Sequence, residues 1–508
     1  MELIKNTVPQ YTLIADGAYG QEESLETIVP DVNPDVLRIL CASAEICLKE
    51  KSLQAGKARA AGEIRSRIFY TAEGGETIWM VEGSTPFSCA ADIAEAGPDD
   101  TLVASCSVVS AQASMLNPRK LSVKTRYCLR AQVYRQGVAE YVEGVDSKPE
   151  DGVHTLLETA QPLTLIGLPE RRMVINEEIR LSGGSVLATD RLYRTDLSWV
   201  IEDKKVLTNK IMLRGSACVK VITLAEKGGA PSCQTYNLPF AQIIESDNTD
   251  AGDEVEVLYQ TLQKEIGLTA GVDGAPVLQC SITAVAQAFV SRRIQVRLLT
   301  DLYSTVYDGE AEAAEISVPL GAERQSAAAA FSETIPTDAP AVRVYDVAVR
   351  CEVRRPAPED MSAVGWVCCQ ILYETADGLC CAARKVEVEG RLESPYGNCC
   401  GLRLECAEPQ VSCAEDGSLL LSGKGVFTCT RRESRAYRQI KSWRLNRQSC
   451  KVRPRRGTLV LRAYDGRDTV WQIAKKYNTT AGDILAANKI SDESELSKGS
   501  LILIPYSR

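Results

Sequence analysis

The amino-acid sequence predicts a mainly β protein: tandem β-sandwich-like repeat domains followed by a small βααβ domain. Three observations support this class: apolar and polar residues alternate, a long segment repeats, and the last fifty residues follow a different pattern. From Leu121 to Val133 the alternation has a period of two, as in a strand with one buried face. Helical patterns are short elsewhere, and 255–265 is the one longer candidate helix.

The internal repeat is clearest at two glycines. The segment that starts at Gly62 recurs at Gly215, an offset of 215 − 62 = 153, and at this offset Pro86-Phe87 falls on Pro239-Phe240. A third, shorter copy starts at Gly365 and lacks the Pro-Phe step. Repeat units of roughly 150 residues are too long to be turns of a solenoid and have the size of independent domains.

A second block predicts that the repeat extends further, because 111–124 and 286–297 share an Ala-Gln-Ala step followed by a basic pair and an apolar alternation. After the third copy, Arg and Lys dominate 431–456, and Glu433 is the only acidic residue there. Such a run is typical of a solvated linker, and a contact for an acidic protein or polymer is the alternative. We therefore expect five segments: a first β repeat domain at 1–150, a second at 151–315, a third, partial or divergent one at 316–430, a basic linker at 431–456 and a terminal domain at 457–508.

Charge and hydropathy limit the partners and the location. The 58 basic and 67 acidic residues give a net charge of −9, which does not favour binding to nucleic acid or to anionic membranes. No apolar run approaches the length of a membrane span, and the start has no signal-peptide core. We expect a cytoplasmic protein with no membrane insertion.

The chain offers little material for catalysis. His154 is its only histidine, although histidine is the commonest general base and metal ligand. Residues 417–424 resemble a nucleotide-binding loop but are one residue too long, and we interpret them as a hairpin. The 19 cysteines form no pair of CxxC knuckles, so we expect reduced thiols that pack as small apolar groups, with oxidative cross-linking or thiolate metal binding as alternatives. The sequence predicts no enzyme, no cofactor and no metal site.

The terminal domain has the order β-α-α-β. A strand at 459–464 precedes Asp468-Thr469, which can cap a helix, and Asn478-Thr479-Thr480 separates that helix from a second one. Leu501–Pro505 forms a closing strand stopped by proline.

Residues 458–506 resemble a LysM domain through the segments 468–478, 484–488 and 501–505. The resemblance implies binding of N-acetylglucosamine glycans, such as peptidoglycan, in a groove between two loops. Trp471 has two open roles, stacking on a sugar or packing against the sheet. Arg467 stands where the family usually has glycine, and its guanidinium suits carboxylates. The predicted groove residues are Gly466, Arg467, Asp468, Thr469, Trp471, Asn488, Lys489 and Ile490.

The repeats resemble a domain of spore-forming Firmicutes through Val29–Asp35, Ile68–Tyr70, Pro86-Phe87 and Asn117–Leu121. Several such domains followed by one LysM domain resemble the SipL-like spore-coat morphogenetic proteins of clostridia. The resemblance implies a non-enzymatic scaffold at the forespore surface, in the mother-cell cytoplasm, whose LysM domain engages a SpoIVA-type coat ATPase and which also contacts other coat proteins. The alternative is a protein that binds peptidoglycan at the spore cortex.

Overall fold

The computed structural model describes residues 2–505, apart from 55, 74–76, 182–185, 187–189, 226–229 and 452–458. It consists mainly of antiparallel strands, with two short α-helices near the C-terminus. The predicted mainly β class with a βααβ end is confirmed.

The first unit has six strands in two three-stranded sheets. Its strands are β1 (Leu3–Ile28), β2 (Arg38–Gln54), β3 (Lys57–Thr71), β4 (Ile78–Asp92), β5 (Thr101–Asn117) and β6 (Lys120–Val145). One sheet has the order β1-β6-β5 and the other β2-β3-β4. The predicted alternation lies on β6, where Leu121, Val123, Tyr127 and Leu129 are buried between the sheets.

The second unit has the same plan, but its first and last strands are divided. Its strands are β7 (Val153–Ala160), β8 (Leu163–Gly167), β9 (Glu170–Arg180), β10 (Arg191–Leu207), β11 (Lys210–Leu224), β12 (Ser232–Glu245), β13 (Glu254–Ala270), β14 (Pro276–Arg293) and β15 (Val296–Ser304). The sheet β10-β11-β12 matches β2-β3-β4. Both β8 and β9 pair with β14, which also pairs with β13, and β7 pairs with β15. The predicted helix at 255–265 is wrong, because this segment is part of β13.

The third unit repeats the first. Its strands are β16 (Tyr307–Ile335), β17 (Ala341–Val353), β18 (Ser362–Thr375), β19 (Gly378–Arg391), β20 (Cys399–Cys413) and β21 (Leu419–Cys450). The sheets β16-β21-β20 and β17-β18-β19 match those of the first unit, so the third unit has the full set of strands and diverges only in sequence. The glycine-rich stretch at 417–424 lies in the hairpin of β20 and β21, as predicted: 417–418 end its turn and 419–424 begin β21.

Two interpretations of the sequence are wrong. Residues 431–450 lie in β21, where they alternate between buried side chains such as Tyr437, Ile440 and Trp443 and exposed basic ones, so this range is a strand of the third unit and not a linker. Residues 452–456 of the predicted linker lie outside the described residues. In the second shared block, 111–113 lie on β5 whereas 286–288 lie on β14, the counterpart of β6, so the two segments are not equivalent.

The repeated glycines mark a close approach of two strands. A Cβ atom on Gly62 would lie 2.0 Å from the Cys47 carbonyl oxygen and 2.9 Å from the Phe87 ring. At Gly215 the same distances, to Val200 and Phe240, are 2.0 and 2.9 Å. Each Pro-Phe phenylalanine thus covers the glycine paired with it. The repeat therefore encodes a packing motif.

The third unit solves the same packing problem differently. Gly365 pairs with Val388, which stands where the other units have phenylalanine. Phe427, from the opposite sheet, supplies the ring, and a Cβ atom on Gly365 would lie 3.3 Å from it. Phe427 is fully buried. This replacement explains why the third copy lacks the Pro-Phe step.

The three units pack against one another. All three units contribute to shared apolar clusters, which lie where β1 pairs with β6, β7 with β15 and β16 with β21. One of these clusters contains Tyr141, Leu298 and Tyr437. The buried carboxylate of Asp151, between the first two units, accepts two hydrogen bonds from Arg447 of the third at 2.9 and 2.8 Å. The three repeat units therefore pack into one body and are not separate domains.

The described part of the chain offers neither a membrane-spanning helix nor a cluster of metal ligands. Across the described ranges, no helix has the length and apolar character needed to span a membrane. Within the same ranges, no three or more His, Cys, Asp or Glu side chains group so as to hold a metal ion. The cysteines are free thiols, and only Cys233 and Cys450 are exposed.

Candidate functional site

The terminal module is a two-stranded sheet covered by two helices. Its elements are β22 (Leu459–Ala463), α1 (Val470–Tyr477), α2 (Ala481–Asn488) and β23 (Leu501–Pro505), and β22 pairs antiparallel with β23. Ile473, Ile484 and Ile504 are fully buried between these elements. The predicted order β-α-α-β is therefore observed.

The first predicted groove loop joins β22 to α1 and is held by its own polar groups. Gly466 takes the left-handed backbone, with φ of 71°, which glycine adopts without strain. Thr469 caps α1: its hydroxyl accepts from the Gln472 N–H at 3.2 Å, and the Gln472 side chain accepts from the Thr469 N–H at 2.8 Å. Asp468 pairs with Arg462 at 2.5 Å. These contacts fix the loop.

The Arg467 side chain stands at the exposed rim of this loop. Its backbone N–H donates to Asp465 Oδ1 at 3.0 Å and thereby lowers the pKa of that carboxyl. Because the left-handed position falls on Gly466, Arg467 occupies the usual glycine site of the family without backbone strain. The loop therefore presents a guanidinium to solvent.

The second predicted groove loop follows α2, and its three residues differ in availability. Asn488 donates to the carbonyls of Ile484 and Leu503 and accepts from the Leu503 N–H, each at 2.7 Å. This amide is used inside the module and joins α2 to β23. Lys489 ends α2 in the left-handed conformation, with φ of 57°, and its side chain is exposed. Ile490 is half-buried.

Trp471 contacts the second unit. Its indole N–H donates to Asp301 Oδ2 at 2.9 Å, and its ring meets Tyr303 edge to face at 4.9 Å. Of its two open roles, packing is the one observed: it packs against the apolar cluster that joins the core of the module to Tyr303 of β15. No local pattern predicts this contact, because Trp471 and Asp301 are 170 positions apart.

Two further contacts complete the attachment of the module. Lys475, one turn after Trp471, places Nζ 2.7 Å from Asp301 Oδ1. The Tyr303 hydroxyl donates to the Thr479 carbonyl at 2.7 Å, and burial raises the pKa of Tyr303. A bulge between Leu299 and Asp301 interrupts the ladder of β15 beside this contact. Helix α1 therefore docks on the repeat body through one face.

The sole histidine lies beside this interface. The ring centroids of His154 and Tyr303 are 5.5 Å apart, and His154 is half-buried on β7. Burial lowers its pKa, which favours the neutral imidazole. Among the described residues it makes no ion pair, and its ring packs on that of Tyr303 where β7 pairs with β15.

Comparison with known proteins identifies two segments of the chain. Residues 35–116 match the SipL, SPOCS domain family and residues 467–505 match the LysM domain family. The chain therefore contains a SPOCS domain of the SipL type and a LysM domain. The SPOCS match spans strands β2 to β5 of the first unit, and the LysM match covers both groove loops apart from Gly466. Together they indicate a sporulation-related protein with a module of the peptidoglycan-binding type. No curated protein and no solved structure matches the chain.

Proposed function

We propose that this protein is a non-enzymatic scaffold of spore-coat assembly at the forespore surface, on the mother-cell side. Its LysM module would recruit a SpoIVA-type coat morphogenetic ATPase, and its three packed repeats would form the body that holds the module and contacts other coat proteins. The SipL and LysM matches support the setting. The assignment of the partner is argued from the module itself.

The observation that carries the proposal is how the module is mounted. Trp471 and Lys475 fix α1 to β15, while Arg467 and Lys489 remain exposed on the two groove loops. Arginine forms bidentate pairs with carboxylates, which protein surfaces offer in quantity. A module held by one face, with cationic loops free, suits capture of an acidic protein surface.

A second candidate function follows from the LysM match itself, since the module is of the peptidoglycan-binding type. Under this alternative the protein recognises glycan at the spore cortex. Glycan chains of peptidoglycan carry peptide carboxylates, so a cationic rim is compatible with this ligand too. The two functions are therefore separated by experiment.

The experiment is co-sedimentation and pull-down of the purified full chain, side by side, with peptidoglycan sacculi and with a SpoIVA-type ATPase from the same organism. We expect saturable binding to the ATPase and none to sacculi above the level seen with a LysM-free control protein. Binding to sacculi alone would replace the scaffold function with glycan recognition. Failure to bind either partner would overturn both functions.

A further inference from the structure

A cavity of about 750 Å³ lies where the three repeat units meet. Its wall combines β1 and β6 of the first unit, β8, β13 and β14 of the second, and β16, β20 and β21 of the third. Pockets of roughly 300 to 1,000 Å³ are typical small-molecule sites. The wall of this cavity mixes apolar and polar side chains, and two carboxylates, Glu256 and Glu433, line it together with arginines. The groove of the LysM module contributes no residue to it.

Three arginines of the third unit, Arg324, Arg403 and Arg432, line this cavity. The register of the sheet brings them together: Arg403 of β20 pairs with Thr428 of β21, and Arg324 of β16 pairs with Thr430, two residues further along. Arg432 is the next residue on that face of β21. Neighbouring strands are about 5 Å apart and alternate residues about 7 Å apart, so the guanidinium groups share one patch.

None of the three arginines forms an ion pair or donates a side-chain hydrogen bond within the described ranges. Arg403 is the most buried of the three: it is partly buried, whereas Arg324 and Arg432 are exposed. Burial, and then the charge of Arg130, lowers the pKa of Arg403, although Glu256, Glu405 and Asp16 act in the opposite direction. A desolvated cation without a partner is costly. A bound anion would remove this cost.

The backbone of β20 is shaped at this point. A bulge interrupts its pairing with β21 between Cys400 and Arg403, and Gly401 takes the left-handed backbone with φ of 67°. Bulges often redirect a side chain beside a functional site. Leu402 and Leu404 on either side are buried in the core of the third unit, so Arg403 faces away from that core.

The opposite wall is aromatic. Tyr134 of the first unit and Phe289 of the second have ring centroids 5.9 Å apart and both line the cavity. Tyr11 and Leu258 extend this apolar surface. A cationic patch facing aromatic rings offers one site for a charge and another for a flat apolar group.

We propose that the cavity binds a small molecule that carries an anionic group on a flat apolar body. Arg403, Arg324 and Arg432 hold the anion, and Tyr134 and Phe289 hold the body. Since the wall draws on all three repeat units, such a ligand also holds the units together. The site is separate from the LysM groove and does not depend on the function proposed for that module.

The test uses the full chain and the fluorescent probe 8-anilinonaphthalene-1-sulfonate, an aromatic sulfonate, with N-phenyl-1-naphthylamine as its uncharged analogue. We expect one saturable sulfonate site per chain and at least tenfold weaker binding of the uncharged analogue. Arg403→Met should weaken sulfonate binding at least tenfold. Arg59→Met, which removes an exposed strand arginine of the first unit, should leave it unchanged.

Equal affinity of wild type and Arg403→Met would overturn the proposal, as would equal affinity for the two probes. The thermal midpoint of each variant is measured first. If Arg403→Met does not fold, the double variant Arg324→Met, Arg432→Met, which changes two exposed side chains, carries the test with the same expected loss. A gain in thermal midpoint on addition of the sulfonate, present in the wild type and absent from the variant, is the second expected result.

Discussion

The indole N–H of Trp471 donates to Asp301 Oδ2 at 2.9 Å and joins the terminal module to the second repeat unit. The same carboxylate holds Lys475 through both oxygens, at 2.7 and 2.9 Å. Asp301 is largely buried, with 15% of its side chain accessible. One acidic side chain therefore fixes how the LysM groove is presented.

Asp301→Ala should loosen the module from the repeat body without unfolding either part. A hydrogen bond to a charged group contributes roughly 1.5 to 3 kcal/mol, so we expect the opening free energy of α1 to fall by about 2 kcal/mol. Hydrogen exchange of residues 470–477 in the full chain measures this. Glu310→Ala, an exposed acidic position on β16, is the control, and equal exchange in the two variants would contradict the docking role.

Gly62→Ala and Gly215→Ala should each destabilise the repeat body by about 3 kcal/mol or more, because overpacking that displaces backbone is costly. In both positions the new Cβ atom would lie 2.0 Å from a carbonyl oxygen. Gly267→Ala on β13 is the matched control, since a Cβ atom there meets no atom within 4 Å. The thermal midpoints of the three variants measure this effect. Midpoints of Gly62→Ala and Gly215→Ala equal to that of Gly267→Ala would show that the two strands do not approach closely at these glycines.

A phenylalanine at position 388 should replace part of the packing that Phe427 provides. Phe427→Ala empties a fully buried site in the third unit, and we expect a loss of about 3 to 5 kcal/mol. Adding Val388→Phe places a ring opposite Gly365, as Phe87 stands opposite Gly62, and should recover part of that loss. The free energy of unfolding of the single and double variants tests this, and a double variant less stable than Phe427→Ala would show that the two arrangements are not interchangeable.

Asp196 should make the packing between units sensitive to acid. Burial would raise its pKa, but Arg194 and Arg350 outweigh burial and hold the pKa at about 2. Because the folded pKa lies below the ordinary 3.8, the stabilisation is present above pH 4 and is lost as the pH falls toward 2. We expect roughly 2 kcal/mol to disappear over this range.

Thermal midpoints of wild type and Asp196→Asn between pH 2 and pH 6 measure this effect. The variant should show a flatter profile, since it has no carboxyl to protonate. Arg350 belongs to the third unit and Asp196 to the second, 2.8 Å apart, so the loss reports on contact between units. Parallel profiles would assign the acid sensitivity to other carboxylates.

Local signals in the sequence predicted the parts of the protein that depend on local structure. The alternation at Leu121–Val133, the capping residue Thr469 and the closing strand at Leu501–Pro505 all lie where expected. The error at 431–450 has a physical reason: one face of β21 faces solvent and carries the basic residues, so their charge density hid the buried apolar positions Tyr437, Ile440 and Trp443. In this segment the spacing of buried residues indicates a strand, whereas the amino-acid composition suggested a linker.

Contacts between distant residues were outside the reach of the sequence. The site for Trp471 is set by Asp301 on another unit, and the arginine patch depends on strand register across β16, β20 and β21. Asn488 was predicted at the groove from the family pattern, yet its amide is used within the module. Such roles depend on tertiary packing, which periodicity does not encode.

The most direct test of the central claim is the affinity of the full chain for a SpoIVA-type ATPase, measured for the wild type, Arg467→Ala and Lys476→Ala. Both variants remove one exposed positive charge from the module, but only Arg467 stands at the groove. We expect at least tenfold weaker binding for Arg467→Ala and wild-type affinity for Lys476→Ala. Unchanged affinity in Arg467→Ala, or equal losses in both variants, would contradict it.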